Sequence, residues 1–305
     1  MTQHDTPVLR VAGRPVGRYV TRPELPDRLA PRPYLHPVTT LAGTAVTELS
    51  PADHAHHLGV GVAVPDVEGH NFWGGRTFVR DHGPTELDNH GSQRHTAFQL
   101  RDPDGFVAEL RWVAAGAELL RERRTVAATE LTDTAWALDF TFSLTNVTSG
   151  PLSIGSPATN GRPGAAYGGF FWRARKEESA PDVFTADREG EAEVHGTRAD
   201  WLALAGWGSP RSWGSPRSSE AESGGGAESG GGWTLVFAGA TEDTRRDPWF
   251  VRAAEYPGVG SSLAHTERLP VPPGETLVRR VVTVVADGRL ERGEAAALVR
   301  KAVGR

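Results

Sequence analysis

Eight of the eleven histidines, His36, His54, His56, His57, His70, His82, His90 and His95, fall within residues 36–95 of a 305-residue chain. The tightest group is Asp53-His54-Ala55-His56-His57, directly after the turn-forming Ser50-Pro51-Ala52. On an extended backbone successive side chains alternate, so His54 and His56 point to one side and Asp53 and His57 to the other. Two such neutral imidazoles suit a divalent metal such as Zn, Mn, Fe, Ni or Cu, with His90, Asp53 or Asp88 as further ligands. The metal set to test is His54, His56 and His90. The same groups suit proton transfer, because a carboxylate beside an imidazole fixes its tautomer and lets it act as general acid or base. A His-x-His cupin site also requires a Glu five positions after the second histidine, where this chain has Gly61.

Two further stretches mix aromatic rings, glycines and polar donors: Gly69-His70-Asn71-Phe72-Trp73-Gly74-Gly75-Arg76, and residues 160–173 from Asn160-Gly161-Arg162 to Phe171-Trp172-Arg173. Glycines let backbone approach a ligand, and indole faces beside amide and guanidinium donors match the C–H faces and hydroxyl edges of a sugar. Asn71, Trp73, Asn160, Arg162 and Trp172, with His36 and His90, are therefore the candidate substrate-binding residues. In the Phe170–Arg173 run, the alternative is that Phe170 and Trp172 alternate into a core while Phe171 and Arg173 face out.

No Walker loop, His-Glu-x-x-His helix or Gly-x-Ser-x-Gly elbow occurs. The absence of cysteine excludes disulfides, thiolate metal sites and cysteine nucleophiles. With a net charge of −5 there is no basic excess for a phosphate backbone, so no nucleic-acid partner is expected. No apolar run is long enough to span a bilayer and the N-terminus has no leader pattern, which predicts a cytoplasmic protein without a membrane partner.

The elements that must position these residues are mostly strands. Trp136, Leu138, Phe140, Phe142 and Leu144 alternate with smaller or polar residues, and Phe106, Ala108, Leu110 and Trp112 do so after an Asp102-Pro103-Asp104-Gly105 turn, pairing as a hairpin with 94–101. Shorter β-rich runs lie at 8–20, 37–49, 58–64, 233–239, 248–254 and 276–285. The one persuasive helix is at the C-terminus, within 288–305, where Ala295, Leu298, Val299, Ala302 and Val303 share an apolar face. This pattern predicts an all-β fold, a large antiparallel sandwich in a single domain spanning 1–305 with a short C-terminal helix. Residues 207–232 repeat Trp-Gly-Ser-Pro-Arg-Ser and Ala-Glu-Ser-Gly-Gly-Gly, a low-complexity composition expected of a flexible insertion between strands. A flat sandwich face is compatible with a homodimer.

The runs Pro33-Tyr34-Leu35-His36-Pro37-Val38, Asp53-His54-Ala55-His56-His57-Leu58-Gly59, Asn71-Phe72-Trp73-Gly74 and Gly168-Gly169-Phe170-Phe171-Trp172-Arg173 resemble the bacterial family labelled PmoA, or methane oxygenase-like, from about residue 30 to about 285. The resemblance implies a supersandwich of the galactose mutarotase-like kind and genomic company with carbohydrate catabolism. By that analogy His56 or His57 is the general acid, and Glu255, which follows the strand at 247–252, the base. The leading expectation is a carbohydrate-active enzyme of isomerase, lyase or hydrolase type, acting on a sugar or oxidised sugar with His54, His56, His57 and Glu255 at its centre. The alternatives are a non-catalytic sugar-binding accessory protein and an oxidoreductase with a His-held divalent metal.

Overall fold

The computed structural model describes residues 6–208 and 231–304. Most of the repetitive 207–232 segment, residues 209–230, lies outside the described residues. Its flanking strands, Trp201–Gly206 and Trp233–Gly239, pair antiparallel with Gly206 opposite Trp233.

Alternating apolar residues build two large antiparallel sheets. The front sheet has seven strands in the order Val8–Val11, Arg14–Val20, Tyr34–Val38, Val60–Ala63, Gly169–Arg173, Gly258–Ser261, Trp249–Arg252. The back sheet has eight, in the order Asp182–Phe184, Trp201–Gly206, Trp233–Gly239, Thr276–Asp287, Ala135–Asn146, Ala117–Thr132, Gly105–Ala114, Ser92–Asp102. The expected hairpin is present, closing with Asp102 opposite Gly105. Of the expected 37–49 strand only the first residues are extended, in Tyr34–Val38, because the chain turns back at Gly43, whose φ is 93°.

The sheets face each other across one apolar layer. Trp136, Leu138, Phe140, Phe142 and Leu144 of the back sheet meet Leu35, Val60, Val62, Phe170 and Trp172 of the front sheet in the same cluster. Buried indoles keep their N–H groups satisfied across the layer: Trp136 Nε1 donates to the Thr39 carbonyl and Trp172 Nε1 to the Val46 carbonyl, both at 3.0 Å. Because strand side chains alternate, burying Phe170 and Trp172 turns Phe171 and Arg173 to the other face. Trp172 is thus a core residue, which corrects its assignment to substrate binding.

The outer face of the back sheet is covered by the C-terminal helix, Arg292–Val303, through Ala295, Val299 and Ala302. A capping box fixes its start, Glu291 and Glu294 each accepting from the other's backbone N–H. No helix among the described residues is long and apolar enough to cross a membrane.

The sixteen-residue strand Ala117–Thr132 carries Arg121, Glu122, Arg123 and Arg124, and this charge run hid it from a search for apolar alternation. Glu122 and Arg124 are two residues apart, so both point inward, and both side chains are fully buried. Arg124 Nε lies 2.6 Å from Glu122 Oε1, its Nη1 donates to the Pro33 carbonyl at 3.0 Å and its Nη2 to Gln93 Oε1 at 3.2 Å. Glu122 Oε2 also accepts from Trp112 Nε1 at 2.8 Å. Removing one partner of such a pair strands the other charge in the core. Arg124→Met is therefore expected to lose about 3–5 kcal/mol of unfolding free energy in urea titration, while Glu122→Met with Arg124→Met recovers part of it. Equal stability of Arg124→Met and wild type contradicts this role.

Candidate functional site

The histidine motif folds as two successive turns rather than an extended segment. His54 N–H donates to the Pro51 carbonyl at 3.0 Å, His57 N–H to the His54 carbonyl at 2.9 Å, and Ser50 N–H closes the loop onto the His57 carbonyl at 2.8 Å. The expected alternation of sides is replaced by convergence. The rings of His54 and His57 stack with centroids 4.6 Å apart and planes 23° apart, and His56 meets His57 edge-on at 4.7 Å. Gly59 ends the loop at φ 46°, where a Cβ would fall 2.2 Å from the Leu35 carbonyl oxygen, so only glycine lets the loop lie against the Tyr34–Val38 strand.

A second loop, residues 71–76, packs against the first. Buried Asn71 shapes it: Oδ1 accepts from the N–H groups of Trp73 and Gly74, both at 2.8 Å, and Nδ2 donates to Thr77 Oγ1 at 3.1 Å. Gly74, at φ 100°, sits so close that a Cβ would lie 2.8 Å from His56 Cβ. The two loops are joined by Arg32, only 3% exposed. Its Nη2 donates to the His56 carbonyl at 2.7 Å, and its Nη1 lies 2.9 Å from the Trp73 carbonyl and 3.1 Å from that of Ala30. Burial, followed by repulsion from Arg124, draws its pKa down to about 9, which leaves it a cation at neutral pH.

The loops line one side of a pocket of about 280 Å³ on the outer face of the front sheet. At one end stand His54, His56 and His57 with Tyr256, whose ring is 4.7 Å from that of His54 and 5.1 Å from that of His57. A band of aromatic rings follows, Trp73 lying 4.6 Å from Tyr167 and 4.8 Å from Phe171, and Tyr167 5.5 Å from Phe250. Arg162 and Arg252 line the pocket beside this band. Glu255 also lines it, an exposed carboxylate whose backbone carbonyl accepts from Lys176 Nζ at 2.9 Å. Below Tyr256, fully buried Arg173 packs its guanidinium 4.7 Å from the ring centroid and donates Nη2 to Glu48 Oε2 at 2.9 Å. Arg173 Nε and Nη1 and His57 Nδ1 are buried with no hydrogen-bond partner. Unmet polar atoms are rare in folded proteins, and four of the seven among the described residues, these three and His54 Nδ1, lie at or beneath this pocket.

Burial dominates the electrostatics. It pulls His56 to about 3, assisted by the charges of Arg32, His54 and His90, and it holds His57 well below the usual histidine value, assisted by His56, His54, Arg173 and Arg32. Burial likewise pushes the Tyr256 phenol upward. At neutral pH His56, His57 and Tyr256 are all uncharged. Burial thus disfavours the imidazolium form of His56 and His57 in the free protein, against the imidazolium version of the acid role the sequence resemblance implied. His54 differs in setting: its side chain is 24% exposed, and Nδ1 lies 3.0 Å from Asp53 Oδ2, a close contact off the line of a hydrogen bond.

Of the residues singled out from sequence, His54, His56, His57, Trp73, Arg162 and Glu255 meet at this pocket. Five others do not. His36 is occupied with Thr47 Oγ1 at 3.0 Å. Asn71 is consumed by its own loop, and Trp172 lies in the core. Asn160 Nδ2 donates to Asp66 Oδ2 at 3.1 Å, within an ion pair of Asp66 and Arg268. His90 Nε2 is committed to the Gly75 carbonyl at 2.7 Å. That commitment, with Asp88 exposed, undoes the proposed ligand set of His54, His56 and His90. No group of three or more His, Cys, Asp or Glu among the described residues is arranged to hold a metal ion. Tyr167, Phe250, Arg252 and Tyr256 were missed, although Arg252 and Tyr256 flank Glu255 within five residues and the Trp249–Arg252 strand was anticipated.

Fold and site together define an antiparallel β-sandwich with a recessed, histidine-rich aromatic pocket on one outer face. Residues 6–300 match DUF6807, a family of unknown function, and the chain belongs to that family. The match carries no methane-oxygenase description, so that resemblance is not upheld. No curated protein matches the chain. Among solved structures it is similar to heparan sulfate lyase HepC from Pedobacter heparinus, at 12% identity and TM-score 0.30 over 68% of this chain and 24% of that one. It is also similar to the galactosidase domain of an alpha-galactosidase-sucrose kinase, AgaSK, at 9% identity and TM-score 0.34 over 80% of this chain and 32% of that one. The chain thus spans between a quarter and a third of the length of these proteins.

Depressed histidines make a pH prediction. His36 and His95 are each held at about 4 by burial, beside His56 and His57. On acidification the unfolded chain protonates these imidazoles near 6.5 while the folded chain resists until about 4 or below. The unfolded state then binds more protons, so stability is complete above 6.5 and falls as pH drops through that window. Thermal unfolding is expected to show a Tm lower by several degrees at pH 5 than at pH 7, with a shallower decline in His36→Asn. A Tm independent of pH over this range contradicts the buried, neutral assignment.

Proposed function

We propose that the pocket binds a sugar ring and that the protein moves a proton on it, as a carbohydrate-active enzyme of isomerase, lyase or hydrolase type. The observation that carries this reading is the meeting of three imidazoles with the ring faces of Trp73 and Tyr167 in one cavity. Aromatic faces suit the C–H faces of a sugar, and hydrogen-bonding groups at the cavity ends suit its hydroxyls. The cavity is of a size for a single ring rather than a long chain.

Within this reading the histidines divide their roles. His54, beside the exposed carboxylate of Asp53, is the group that takes and returns a proton. Catalytic contacts are often poorly aligned before substrate arrives, and the exposed Asp53 side chain needs only a modest rotation to complete its hydrogen bond. His56 and His57, uncharged, hydrogen-bond the substrate's oxygens, since a neutral imidazole can polarise a carbonyl without giving up a full proton. Glu255, which also lines the pocket, is the second base.

A second reading, a sugar-binding module without turnover, draws on the weak basicity of His56 and His57, which suits them to hydrogen bonding at least as well as to catalysis. One experiment separates the two. Proton NMR of a panel of aldoses, ketoses and their glycosides with the wild-type protein is expected to show interconversion or cleavage, slowed about 100-fold or more in His54→Gln with sugar affinity nearly unchanged. Wild-type turnover retained in His54→Gln removes the proton-transfer role. Binding without turnover in the wild type selects the module, and absence of any sugar binding ends both readings.

A further inference from the structure

The pocket carries guanidinium groups besides its imidazoles, and they bear on what the sugar carries. Arg162 and Arg252 line the pocket beside the Tyr167 and Phe250 rings. Arg252 is held in place from behind: Nη1 donates to the Val251 carbonyl at 2.8 Å, Nη2 to the Gly164 carbonyl at 3.2 Å, and its guanidinium lies 4.7 Å from the Phe250 centroid. Its nearest carboxylate, Glu191, is 3.7 Å away and uses its other oxygen to accept the N–H groups of Ala253 and Ala254. Arg162 touches the Phe78 ring face and the Tyr167 hydroxyl, and among the described residues no ion pair involves it. Beneath the histidine loop Arg32 adds a buried cation whose partners are all carbonyls.

The acidic groups of the pocket are Asp53, which lies against His54, and Glu255, which acts on Tyr256 together with Arg252. A ligand that matches this arrangement is neutral where it meets the imidazoles and negative where it meets the guanidinium groups. We propose that the sugar is a uronic acid, its carboxylate received by Arg162 and Arg252, its ring lying along Trp73 and Tyr167, and its opposite end reaching His54 and His57. This rests on the sugar-binding reading above. A planar carboxylate suits the guanidinium fork bidentately. A phosphate dianion fits less well, because two carboxylates already line the same small cavity and repel a second negative charge.

Titration calorimetry of the full chain with galacturonate and glucuronate, against galactose and glucose, tests the assignment. Each uronate is expected to bind at least tenfold tighter than its neutral parent. Arg162→Gln, a change at an exposed loop position, is expected to bring the two within about twofold. Arg252→Gln is expected to give the same loss. Raising sodium chloride from low to high concentration is expected to weaken uronate binding alone. Equal binding of uronate and parent, or an Arg162→Gln protein that keeps its uronate preference, overturns the carboxylate assignment and leaves sugar binding standing. Preference for galactose 6-phosphate overturns it in favour of a phosphate, and binding of none of these sugars overturns it together with the reading beneath it.

Discussion

Arg32 donates to the carbonyls of His56 and Trp73 at 2.7 and 2.9 Å, and no strand pairing among the described residues joins the two loops these residues sit on. Hydrogen bonds from a charged donor contribute about 1.5–3 kcal/mol each when buried, so this one side chain does much to set the distance between the histidines and the aromatic band. Its own position comes from the core. Pro31 and Pro33 on either side of it offer their carbonyls to Gln93 N–H at 2.8 Å and to Arg124 Nη1 at 3.0 Å. The fully buried pair of Arg124 and Glu122 therefore anchors the segment that holds the site. The charge run in the middle of the sandwich and the pocket on its outer face are parts of one polar chain.

Placing a cation under three packed imidazoles has an electrostatic consequence. The low dielectric of the loop interior already disfavours imidazolium, and Arg32 and Arg173 add repulsion in the same direction. His56 and His57 are kept uncharged, with lone pairs and N–H groups free for a ligand. On the proposed reading His54, nearer solvent and touching Asp53, is the member of the trio that exchanges protons. One short motif thus holds two kinds of histidine, separated by depth.

Much of the scaffold was legible in the sequence because burial on one face imposes a period of two. The Trp136–Leu144 alternation, the hairpin around Asp102–Gly105 and the 233–239 strand all stand where that pattern places them. The Ala117–Thr132 strand did not declare itself, since its inward residues include an ion pair that only the opposing Gln93, Pro33 and Trp112 make tolerable. For the site, clustering of histidines located the functional loop, while the assumption of extended backbone misjudged their geometry: turns closed by Ser50 and His57 bring the rings together. The choice between Trp172 and Phe171 depended on which face of the Gly169–Arg173 strand is buried, and alternation alone cannot orient a strand whose residues are apolar on both faces. Arg32 gave no sequence signal, because an arginine that solvates carbonyls in a core looks in sequence like any surface arginine.

The central claim is that His56 and His57 are neutral groups presented to a sugar. Nitrogen NMR of histidine-labelled protein, recorded from pH 7.5 to 5 with and without galacturonate, addresses it directly. The account predicts that both rings keep the nitrogen shifts of neutral imidazole down to pH 5 and that their signals move when the sugar is added. Rings that titrate near 6.5 and are indifferent to every sugar would contradict it.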